Sequence, residues 1–421
     1  MMPGFGVLNK MNTQHFFKDI HEQYVDDAAF LWILRSVATE KPHYKASDIQ
    51  GLEQRIEAPL DGLMTSLESG WAACESALEM QEPGEVFTAM TIAMRSHEAR
   101  KIQQAVEAGL ANDLATPGLI SAMGWLPAEI ATPWMERFLN GKEMNHKYLG
   151  LATCSVRRQD PGEILTNILR RDDCLQHEKL YARALRLIGE LRRQDCMPAI
   201  NASLHDDNEN IRFWANWSAV LLGQRASVKN LESLVFKAGP YQDQAIQLAF
   251  RVLPVEQARE WISRLSEDGS QIRAVIKATG VLGDPHAINW LISKMQNPIL
   301  AKLAGESFSL ITGIDLEKHH LQIDVPDNTS PVENVDDDNI ELDQDESLPF
   351  PDVTKVEAIW RNHGQNFIIG RRYFMGRPVE SEILKEKLAD GTQRQRHAAA
   401  MELALSENDV QLPNTRARIL A

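Results

Sequence analysis

Three histidine-glutamate pairs, His21-Glu22, His97-Glu98 and His177-Glu178, are the first residues to weigh as chemistry. An imidazole beside a carboxylate is a donor set that first-row metals accept. Their spacing argues against a shared site: the last two stand 80 residues apart, which is not a whole number of the 31-residue units described below. Where the strongest units place the corresponding positions, at 211 and 272, Ile-Arg stands instead. His319-His320 with Asp324 is a second way to hold a divalent cation. In the acidic run that follows, Asp336, Asp338 and Ile340 fall at positions one, three and five of a calcium loop, but no glycine stands at six, so the EF-hand pattern fails. The four cysteines, Cys74, Cys154, Cys174 and Cys196, form no CxxC pair and read as buried thiols. No GxSxG, Walker loop, GxGxxG or HExxH occurs. The expectation is a chain without catalytic residues, cofactor or metal.

Side chains suited to holding another protein are more evident. In FWANW (213–217), Trp214 and Trp217 lie one turn apart with Phe213 alongside, either as a core ridge or as aromatic anchors in a partner groove. Arg371, Arg372, Arg377, Arg394 and Arg396 gather where residues 353–421 carry eleven basic against eight acidic side chains. The formal net charge is −15, and eleven carboxylates without a single Lys or Arg lie between Asp324 and Asp352, leaving −4 for the rest. Such a balance speaks against nucleic acid as the ligand. No run of about 18 apolar residues is present, so no membrane insertion is expected and a cytoplasmic location is the simplest reading.

The elements that carry these residues repeat. In 271–298, Ile272, Val275, Ile276 and Thr279 share one helical face, Gly283-Asp284-Pro285 stops one helix and starts the next, and Ile288, Leu291, Ile292 and Met295 share a second face. Helical hairpins of this kind cannot cover their apolar stripes alone. The apolar residue before the turn recurs at Leu126, Val156, Leu191, Leu222, Leu253, Leu282 and Ile311, at intervals of 30, 35, 31, 31, 29 and 29. RRQD occurs at 157–160 and again at 192–195, and 375–388 overlays 282–295 with Gly376 on Gly283, Pro378 on Pro285 and Leu384 on Leu291.

The unit IRAVIKATGVLGDPHAINWLISKMQNP (272–298) resembles the HEAT repeat, which implies an all-α, right-handed α-solenoid of HEAT-type helical hairpins. Four regions follow: an N-terminal helical cap at 1–84, the solenoid at 85–321, an acidic loop too poor in apolar residues to pack at 322–352, and further HEAT-like repeats at 353–421. The acidic loop is expected to lie over Arg371, Arg377, Arg394 and Arg396.

Six longer strings, DDAAFLWILRSVATEKPHY (26–44), LEQRIEAPLDGL (52–63), PGEVFTA (83–89), AGESFSLITGIDL (304–316), GRRYFMGRP (370–378) and GTQRQRHAAAMELAL (391–405), resemble an uncharacterised proteobacterial HEAT-repeat family. Genes of that family often stand in type VI secretion loci. The resemblance implies an accessory protein-binding scaffold or adaptor whose partner is a secretion-apparatus component, effector or toxin. An immunity protein occluding a toxin is the alternative within that class, and a metal-dependent HEAT-repeat enzyme using the histidine-glutamate pairs is the alternative outside it.

Overall fold

Helix dominates because the apolar residues recur at helical spacing and Gly or Pro punctuates them about every 30 positions. The computed structural model describes residues 6–324, 345–407 and 409–419, with side chains from Asp19 onward, and its regular structure is all-α apart from four two-residue strands. The chain divides into two compact units, one comprising 1–40, 44–191 and 416–421, the other 41–43 and 192–415. The division at 191/192 falls inside the stretch that the repeat pattern treats as continuous.

Unit 1 contains α1 (Gly6–Ala38), α2 (Ala46–Met64), α3 (Leu67–Ala77), α4 (Pro83–Ser96), α5 (Ala99–Ala111), α6 (Thr116–Trp125), α7 (Ala128–Asn140), α8 (Met144–Arg157), the short α9 (Glu163–Ile168) and α10 (Asp172–Leu175), and α11 (Glu178–Leu191). Alternate helices stack: α4 packs on α6, α6 on α8 and α8 on α11, while α5 and α7 pack beside them. Phe87 of α4 is completely buried, stacked on Trp32 of α1 at 5.5 Å and met edge-on by Trp125 of α6 at 5.4 Å. Gly118 permits the α4–α6 crossing, since a Cβ there would sit 2.1 Å from the Pro83 carbonyl oxygen.

Unit 2 contains α12 (Met197–Ala202), α13 (Glu209–Leu221), α14 (Glu232–Phe236), α15 (Gln242–Val252), α16 (Val255–Leu265), α17 (Ile272–Leu282), α18 (Ile288–Lys294), α19 (Pro298–Thr312), α20 (Val353–His363), α21 (Ser381–Asp390) and α22 (Gln393–Ser406). Here α15 packs on α17 and α17 on α19, with α16 against α17 and α18 against α19, and α21 packs on α22.

Helix ends keep the sequence register. Left-handed residues close α4 at His97, α8 at Arg158, α11 at Arg192, α13 at Gly223, α17 at Gly283 and α19 at Gly313. At the two intermediate positions, α6 and α15 give way to Leu126-Pro127 and Leu253-Pro254. Gly283 is fixed twice over, by φ +73° and by the Tyr373 carbonyl oxygen 2.3 Å from where a Cβ would stand.

Two readings need correction. The segment 375–388, overlaid on a repeat turn, is not a helical hairpin at its start: β3 (Tyr373–Phe374) and β4 (Arg377–Pro378) pair antiparallel around Met375-Gly376, both with positive φ. A two-residue turn of that conformation matches the twist of paired strands, and its Gly and Pro imitate the punctuation of a helix turn. The acidic region is also narrower than 322–352, because β1 (Gln322–Ile323) pairs antiparallel with β2 (Phe350–Pro351), and Asp345, Leu348 and Phe350 are buried. The rest of the expected loop, 325–344, lies outside the described residues, and with it the expectation that it covers the arginines.

Candidate functional site

The histidine-glutamate pairs are dispersed. His21 is buried on α1, edge-on to Tyr24; His97 ends α4 in a left-handed conformation; His177 precedes α11, its Nδ1 accepting from the Leu180 N–H at 3.3 Å. His319 is exposed, its Nδ1 2.9 Å from the Asp315 carbonyl oxygen. Among the described residues no three His, Cys, Asp or Glu side chains are grouped to hold a metal ion. The cysteines are buried, and burial pushes the Cys74 and Cys154 thiols up to about 12, so neither supplies a thiolate near neutrality.

Trp217 is only 5% exposed within a core of unit 2, and Trp214 packs against that core edge-to-face with Trp217 at 5.3 Å. Phe213, fully buried, stacks on Tyr241 at 4.5 Å. Trp217 therefore has little surface left, whereas Trp214 is half-buried.

The five arginines divide into anchors and surface groups. Arg372 is an anchor: its Nε donates to the Leu282 carbonyl at 3.0 Å and its Nη1 to the Arg251 carbonyl at 2.8 Å, at the ends of α17 and α15, and it pairs with Glu402 of α22. Arg251 approaches the same carboxylate at 3.5 Å, and burial, opposed by Glu402 and aided by Arg372, pulls its guanidinium down to about 10. Arg394 pairs with Glu306, and Arg396 donates to the Leu388 carbonyl at 3.1 Å. Arg371 is exposed and lies 3.0 Å from Glu380, while Arg377 is half-buried, 2.9 Å from Glu386 and 3.1 Å from Glu382.

Around Arg372 the segment 367–378 is bolted to the ends of the unit 2 helices. Tyr373 N–H donates to the Gly283 carbonyl at 2.7 Å, Met375 N–H to Leu310 at 2.6 Å, and Gly376 N–H to Ile311 at 3.1 Å. Gly370 N–H donates to Asp284 Oδ1 at 3.0 Å, and Asp284 is itself buried and 2.6 Å from Arg259. The Ile368 N–H donates to the Tyr373 hydroxyl at 3.0 Å. What this scaffold holds outward is Ile368 and Ile369, 62% and 64% exposed, next to Arg371. Two adjacent isoleucines in water on a tethered loop form an apolar contact surface whose ordering has already been met by the fold. Sequence reading singled out the arginines of this string but not Ile368 and Ile369, because exposure is invisible in a short apolar dipeptide.

Sequence reading also missed the buried carboxylate of Glu190 on α11. It takes Arg186 Nε at 2.8 Å, Arg158 Nη1 at 3.3 Å and the Ser155 hydroxyl, with Arg183 close enough to Ser155 Oγ, at 3.4 Å, to add a third positive charge. No described helix is long and apolar enough to cross a membrane. Compared with known proteins, the chain matches no family model, no curated protein and no solved structure.

Proposed function

We propose that this chain is a non-catalytic protein-binding scaffold or adaptor, built as a right-handed solenoid of HEAT-type hairpins and serving in the cytoplasm as an accessory factor of type VI secretion. The observation that carries the binding role is the outward pair Ile368-Ile369 on a segment fastened to the rest of unit 2 by four backbone N–H groups and the Arg372 anchor. The spacing of helix ends and the stacking of alternate helices within each unit support the solenoid reading. The type VI assignment is supported by the family resemblance, whose most specific strings fall on this same segment and on α22. In this reading the partner is a spike component or its effector cargo, and the isoleucines with Arg371 form the centre of its contact.

The test uses purified chain and a purified spike component from the same host. Replacing Ile368 and Ile369 together by Asp is expected to weaken binding roughly 30-fold or more, while the melting temperature stays put because neither side chain is buried. Unaltered binding by that variant removes this surface from the reading. Failure of the spike component to bind, with neutralisation of a co-encoded toxin, would replace the adaptor role by immunity.

A further inference from the structure

In unit 1 the residues 416–419 have no regular secondary structure, yet they hydrogen-bond to α1, α2 and α6. Arg35 of α1 donates through Nη2 to the Arg416 carbonyl at 3.0 Å and the Ala417 carbonyl at 3.1 Å. Arg418 lies over the Trp125 ring, 4.4 Å from its centroid, and donates to Glu57 Oε1 at 2.6 Å and to the Trp125 carbonyl at 2.8 Å. The Ile419 N–H donates to Glu53 Oε2 at 2.9 Å, and its side chain packs against Ala38, Ile49 and Leu52.

The receiving groups hold one another independently of this segment. Glu53 is fully buried, with Oε1 on Arg35 at 2.8 Å; Glu57 takes Arg95 on Oε2 at 2.6 Å and the Trp125 indole N–H on Oε1 at 2.8 Å. Counting the rim carboxylates Asp61 and Glu40, four acidic side chains face two fixed guanidiniums, Arg35 and Arg95, and it is Arg416 and Arg418 that bring the charge into balance. The seat is thus preformed, acidic and aromatic, which suits a guanidinium stacked on an indole and forked onto a carboxylate. The fit is incomplete on the occupant's side, because the Arg418 Nε–H is buried without an acceptor.

We propose that Glu53, Glu57 and Trp125 form a recognition site for extended peptides bearing Arg followed by an aliphatic residue, and that residues 416–419 fill it in cis. Because the occupant is tethered, its effective concentration is of millimolar order, so a competing peptide is excluded unless it binds more tightly or the occupant is weakened. This site lies in unit 1 and does not rest on the adaptor reading: the Ile368 and Ile369 variants leave it unaltered.

The experiment uses the full chain carrying Arg416→Ala and Arg418→Ala, and a fluorescent synthetic peptide with the sequence of residues 412–421. Saturable binding is expected, at least roughly tenfold tighter than to the unaltered chain, and lost when the peptide carries Arg418→Ala or the chain also carries Glu57→Gln. A folded double variant that ignores the peptide, or binds both peptides alike, overturns the proposal. Should the double variant not fold, the same peptide bearing a photoreactive group is applied at millimolar concentration to the unaltered chain. Labelling concentrated at 53–57 and 125 supports the site, and labelling without such enrichment rejects it.

Discussion

Glu190 in unit 1 and Glu306 in unit 2 are both carboxylates largely withdrawn from water, and their affinities for a proton shift in opposite directions. Burial pushes each one up from an ordinary value near 4.5. Around Glu190 the guanidiniums of Arg186, Arg158 and Arg183 and the Ser155 hydroxyl more than reverse that push, and its carboxyl lies below the ordinary value. Around Glu306 there is one strong partner, Arg394, with Lys277 further off and the carboxylate of Asp345 working the other way, and burial prevails. Desolvation of a charge is thus overcome by the number of opposite charges gathered round it, and a single ion pair is not enough. Local sequence decides the count. Arg186 is one helical turn from Glu190, and α8 delivers Ser155 and Arg158 together, whereas Arg394 reaches Glu306 from 88 residues away.

The sharpest way to break the comparison is to neutralise Glu190. Glu190→Gln keeps the shape and leaves three guanidiniums around an uncharged amide, so a loss of about 3–5 kcal/mol is expected, read as a lowered denaturant midpoint at unchanged slope. A loss near zero would mean that the arginines are hydrated and the site is not the joint between α8 and α11 that its geometry indicates. The pH dependence follows from the sign of the shift. A carboxyl held low in the fold stabilises fully above about 4.5, and that stability is lost as pH falls through the lower folded value, so the acid limb of unfolding should flatten in Glu190→Gln.

Glu306 should behave in the reverse sense and with a smaller amplitude. Its folded carboxyl holds a proton more tightly than the unfolded one, so its contribution worsens as pH rises through the raised value and is relieved as pH falls below it. Glu306→Gln is expected to stabilise slightly at neutral pH, by about 1 kcal/mol or less, since it removes a charge whose burial is not fully offset while Arg394, partly exposed, can turn to water. It should also abolish the relief on mild acidification. Equal losses in Glu190→Gln and Glu306→Gln would show that the number of partners does not matter here.

How far the sequence spoke for these features depends on whether the signal was local. The helix ends were legible because Gly283, Gly313, Pro127 and Pro254 are residues that helices end on, and a 30-residue beat survives noise at single positions. The repeated RRQD string marked two real helix ends, but Arg158 takes the left-handed position in the first copy and Arg192 in the second, one residue out of register. Arginine at such a position carries no propensity signal, so the slip could not be read. Met375-Gly376 was misread for the opposite reason, since a hairpin turn and a repeat turn use the same residues. Charge partners were illegible throughout: composition grouped Arg371, Arg372, Arg377, Arg394 and Arg396 as one basic surface, yet Arg372 caps two helix ends and Arg394 meets a mostly buried acid, while of the five only Arg371 is exposed. The seat of residues 416–419 is beyond sequence reading for the same cause, its contacts spanning more than 290 positions.

The smallest predicted effect isolates the neighbour. Asp345, at the described end of the acidic region, is buried and 2.5 Å from Arg273, and its charge is among the causes that raise Glu306. Asp345→Asn removes that repulsion while leaving burial and Arg394 in place, so the Glu306 carboxyl should move down toward 4.5 without passing below it. Arg273 loses its partner but is more than a third exposed, and water replaces the bond. Total stability should therefore change by no more than about 0.5 kcal/mol, while the window of pH over which acidification stabilises unit 2 narrows from its upper edge. The carboxyl resonance of Glu306, followed through a pH titration in labelled protein, reads this directly. An unmoved midpoint would remove Asp345 from the account and leave burial alone as the reason that one arginine fails where three succeed.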